Sequence, residues 1–143
     1  MKLIYNTGTD RVIDLMRPHL QRGSQLDLVS SSFSLFAFAE LCDALAGLEK
    51  IQLILSLDDD GLEFLGGEGD RAARNRLQAR WLANQCAKWV SDKVELRRAL
   101  GPVPQGAAVM RKPDATPEQV VLGSFAFTTD GLGGCPRMRL SNF

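Results

Sequence analysis

Gly123 and Ser124 end an apolar run within "VVLGSFAFTTDGLGG", residues 120–134. A glycine there lets the backbone bend and come close to a ligand, and the serine offers a hydroxyl beside a backbone N–H. Thr128 and Thr129 add two hydroxyls, and Thr129 can cap a short helical turn. Such a set can hold an oxyanion such as a phosphate. A Gly-Ser pair at a strand end also makes an ordinary tight turn, and these residues alone leave both readings open. Arg111 and Lys112 are the cations near enough in sequence to serve a phosphate site, with Asp114 beside them.

Three other places have residue types that can do chemistry. "DDDGLEFLGGEGD", residues 58–70, clusters carboxylates as a hard cation would require. Its spacing departs from that of an EF-hand loop, so a solvated loop or a lid is the plainer reading. "RAARNRLQARWLANQCAKWV" has a helical period that puts Ala79, Leu82, Ala83, Cys86, Trp89 and Val90 on one broad core face. Leu77 and Trp81 fall opposite, flanked by Arg74, Arg80 and Lys88. That surface is covered within the domain, contacts a protein partner or stacks on a nucleic-acid base. Finally, the chain has 1 histidine, His19, next to Pro18 and far along the sequence from Ser124; it reads as a surface or capping residue.

Composition narrows the classes. With 45% apolar and 24% charged residues over 143 positions, the chain reads as one domain with its own core. Its 17 basic and 17 acidic residues cancel, so nucleic-acid or membrane binding has to rest on local patches. Cys42, Cys86 and Cys135 are widely spaced, which fits reduced thiols in a cytoplasmic protein better than a disulfide framework or a zinc site. "MKLIYNTGTD" turns polar too early for a signal peptide, and no apolar run reaches about 18 residues. No cofactor, metal or membrane contact is expected.

The elements that must position these residues alternate. "KLIYN" reads as a first strand and "TDRVIDLMRPHLQRG" as a helix with Thr9 as N-cap, Gly23 as stop and Pro18 as a kink or early end. A short strand at "LDLVSSS" follows, then Ser34 capping "LFAFAELCDALAG", a helix apolar nearly all round that ends at Gly47. "KIQLILSL" has the continuous apolar character of a central strand. A long helix at about 70–90 and strands at "KVELRR", "AAVMR" and "QVVLG" complete an α/β domain, a mixed β-sheet flanked by helices.

The order of three pieces carries a resemblance: "NTGTDRVIDLMRPHLQRGSQLDLVSSSFSLFAFAELCDAL", then "KVELRR", then "VLGSFAFTTDGLGG". Together they resemble the phospholipase D-like domain at the N-terminus of some bacterial helicases of Swi/Snf and DEAD-box type. In that family a strand runs into a Phe-Ser turn, matched by Phe33 and Ser34. The closing pattern is matched by Gly123, Ser124, Phe127, Thr128, Gly131 and Leu132, with Ala126 where an asparagine is usual.

The resemblance implies a phospholipase D-like fold over residues 1–143, as the N-terminal part of a longer helicase-type protein. Active members cleave phosphodiesters through a phosphohistidine held in a His-x-Lys pair. This chain has Gln105 and Ala107 at the expected positions, so neither nucleophile nor cation is present and catalysis is not expected. The expected function is an inactive accessory domain that binds DNA or RNA phosphates or dimerises. Its phosphate pocket would comprise Gly123, Ser124, Thr128, Lys112, Arg111 and Ser34. Sites of this family form where two units meet about a twofold axis, which implies a homodimer.

Two rivals stand beside this reading. One is a protein-interaction domain using Leu77 and Trp81; the other is a metal-assisted phosphodiesterase or nuclease using Asp114 and the carboxylates at 58–60. The chain has no phosphate-binding P-loop and no Gly-x-Ser-x-Gly elbow, so a helicase motor would have to lie downstream. The ending "GGCPRMRLSNF" shows no helix stop and reads as a fragment's end.

Overall fold

The computed structural model describes residues 1–8, 10–56 and 76–133, with backbone alone for 76–79. It is α/β. Helix α1 (Val12–Met16) leads through a 3-10 turn (Arg17–His19) to β1 (Gln25–Ser30), α2 (Leu35–Ala46) and β2 (Lys50–Leu55). Then come α3 (Arg76–Lys93), β3 (Val94–Arg98), β4 (Gly106–Arg111) and β5 (Pro117–Gly123).

The sheet has 5 strands in the order β3-β2-β1-β4-β5. β1, β2 and β3 are mutually parallel, whereas β4 runs antiparallel to β1 and β5 antiparallel to β4. The two parallel crossovers step across the sheet in the same direction, so their usual right-handedness sends α2 and α3 to the same face. Their apolar residues do share one core, in which Phe38, Leu41 and Leu45 of α2 meet Cys86 and Trp89 of α3. Val12, Ile13 and Met16 of α1 join it. The inward positions of the inner strands alternate accordingly: Leu26, Leu28 and Ser30 in β1, Ile51, Leu53 and Leu55 in β2.

Several local expectations hold. Ser34 caps α2, its Oγ accepting from the Phe36 N–H at 3.2 Å, and Gly47 follows the last turn. Leu82, Cys86 and Trp89 of α3 face inward.

Others are corrected. "KLIYN" is not a strand: residues 2–5 join no strand ladder among the described residues, and Asn6, with φ 58°, turns the chain toward α1. A strand needs an edge to pair with, and here the chain turns away instead. The first helix stops short of Gly23, and the early end expected at Pro18 is the outcome. Pro18 lacks an N–H and its ring collides with the carbonyl four residues earlier, so the helix tightens into the 3-10 turn. "KIQLILSL" is not covered on both sides. Ile54 is 37% exposed, because the described helices all lie on the other face. Thr9, the acidic stretch 58–70, Arg74, Cys135 and the terminal segment lie outside the described residues, as does the Leu77 side chain.

Candidate functional site

The turn after β1 and the turn after β5 meet at one end of the sheet. Phe33 and Phe127 form a parallel bridge, and the Ser34 N–H donates to the Phe127 carbonyl at 2.9 Å. Their rings stack at 5.0 Å between centroids. Ser30 ties the same two segments: its Oγ accepts from the Phe127 N–H at 2.7 Å and donates to the Ser32 carbonyl at 2.6 Å. Ser30 and Ser34 are fully buried.

The closing turn is fastened to the N-terminal segment. Thr128 Oγ1 accepts from the Gly131 N–H at 3.0 Å, a turn-capping contact. Asn6 Oδ1 accepts from the Val12 N–H at 2.9 Å, and its Nδ2 donates to the Gly131 carbonyl at 2.8 Å. Asn6 thus satisfies the first N–H of α1 from six residues upstream. A Cβ on Gly131 would run into the Ala126 backbone, so glycine is required by packing there.

The expected phosphate pocket separates into three places. Ser34 and Thr128 lie in this tie with their oxygens accepting backbone N–H bonds. Gly123 and Ser124 stand at its rim; Ser124 is exposed, and Gly123, at φ 156°, has open space around its Cα. Arg111 and Lys112 lie at the other end of β4, since Gly106 pairs with Gly123 and Arg111 with Pro117. At about 3.3 Å per residue this puts Arg111 roughly 17 Å from the Gly123 end. There Arg111 is paired with Asp27 at 2.8 Å. Asp114 accepts from the Thr116 N–H at 2.9 Å in the β4–β5 turn, and that backbone hydrogen bond holds its carboxyl below the ordinary range.

No imidazole comes near. His19 contacts Glu118 at 3.4 Å, at the start of β5 and away from Ser124. Gln105 and Ala107 do not share the side of Ser30 and Phe127; strand alternation gives that side to Gly106 and Ala108. A Cβ on Gly106 would collide with the Phe125 carbonyl and ring, so no side chain fits there. The two described thiols are unsuited to replace the missing nucleophile. Burial pushes Cys86 up to about 11, and burial likewise raises Cys42. Among the described residues no three His, Cys, Asp or Glu side chains gather to hold a metal ion.

A second concavity lies between α2 and α3. It has a volume of about 410 Å³, a floor of Phe38, Cys42 and Trp89, and Trp81 on its edge. Trp81 is 59% exposed, so no described residue covers it. Trp89 packs on Phe38 with 5.1 Å between ring centroids, and its indole N–H is buried without an acceptor among the described residues.

Sequence reasoning missed Ser30 and Asn6. A polar residue at an inward position of an otherwise apolar strand marks Ser30. An asparagine just before a Thr-Gly turn marks Asn6, since asparagine tolerates the left-handed region.

Comparison of the chain with protein-family models, with curated proteins and with solved structures finds no match. Among the described residues no helix is long and apolar enough to cross a membrane.

Proposed function

We propose that this chain is a non-catalytic phospholipase D-like module that serves a helicase-type protein by associating with protein rather than by cleaving or gripping phosphodiesters. The helicase context comes from the sequence resemblance. The observation that carries the rest is the state of the cradle: Ser30, Ser34 and Thr128 accept backbone hydrogen bonds, while the Arg111 guanidinium is paired with Asp27 at the far end of β4. A phosphate arriving at Gly123 and Ser124 would meet a glycine and a hydroxyl, while Arg111, expected to offset its charge, stands at the far end of β4 in a pair with Asp27.

The test is an oligonucleotide titration at about 50 and 200 mM salt, single- and double-stranded, together with a phosphodiester hydrolysis assay with and without divalent cations. No binding and no turnover are expected. Affinity that falls steeply with salt would restore the phosphate reading, and turnover lost in Asp114→Ala would establish the metal-assisted one.

A second reading is favoured by Trp81. An exposed tryptophan beside an apolar groove is the kind of anchor that protein interfaces concentrate, so the α2/α3 groove is the second candidate contact.

A further inference from the structure

We draw no further inference here: the strongest candidate, the apolar groove between α2 and α3 with Trp81 on its edge and Trp89 in its floor, carries nothing beyond the protein contact already proposed for it, because nothing among the described residues shows what covers it.

Discussion

At the Gly123 end of the sheet, consecutive residues face two very different environments. On the helix side Ser30, Phe33, Ser34 and Phe127 are buried, with serine oxygens engaged by backbone N–H groups. On the other side Val29, Ile54 and Leu122 form an aliphatic row, partly or largely open to solvent. The polarity is the reverse of what residue type alone would assign. Buried hydroxyls are stable because each completes a backbone hydrogen bond that would otherwise go unmade. Exposed aliphatics cost the monomer little and become useful when a second surface covers them. Ser30, Ser34 and Thr128 thus tie backbone to backbone at this end, and the strand that resembles a two-sided core element has a surface.

Substitutions on the two sides should separate these roles. Phe127→Ala removes a fully buried ring stacked on Phe33 and should cost about 3–5 kcal/mol in denaturant unfolding. Ser30→Ala leaves the buried Phe127 N–H without its acceptor and should cost about 1–3 kcal/mol, with little change in the denaturant slope. Ser34→Ala loses one α2 cap bond, about 0.5–2 kcal/mol, readable as a lower melting temperature. Leu122→Lys, across the sheet, should change monomer stability by no more than about 0.5 kcal/mol. A cost as large as that of Ser30→Ala would mean that Leu122 is buried in the isolated chain, and the contrast between the faces would fail.

The smallest effect is a pH dependence. Asp14 has its pKa lowered first by the side-chain hydrogen bond from Arg11, at 2.7 Å. A depressed carboxyl stabilises the fold above the unfolded-state value and loses that contribution as pH falls through the folded one. Arg11→Gln should therefore flatten the stability profile slightly on the acid side, below the ordinary aspartate range.

What could be read from the sequence was what local chemistry decides. Ser34 followed by an apolar run announces a capped helix, and "KVELRR", "AAVMR" and "QVVLG" announce strands, because capping and alternation act over a few residues. Pro18 signals the end of α1 by the same logic. Arg111 and Lys112 were misplaced relative to Ser124 because sequence proximity hides the antiparallel turn that carries them to the far end of β4. The exposed face of β2 was equally hidden: Ile51, Leu53, Ile54 and Leu55 look alike as letters, and only the common side taken by α2 and α3 distinguishes Ile54. "KLIYN" shows the limit of β-propensity, which proposes a strand but cannot supply an edge.

The Ser30–Phe127 bond joins positions 97 apart in sequence, and β1, the middle strand, obtains its second neighbour only when β4 arrives. A nascent or truncated chain ending after β3 would consequently hold β1 as an unpaired edge, with its ladder groups open to intermolecular pairing. Slow maturation and a need for protection during synthesis are the cost of such late, long-range closure.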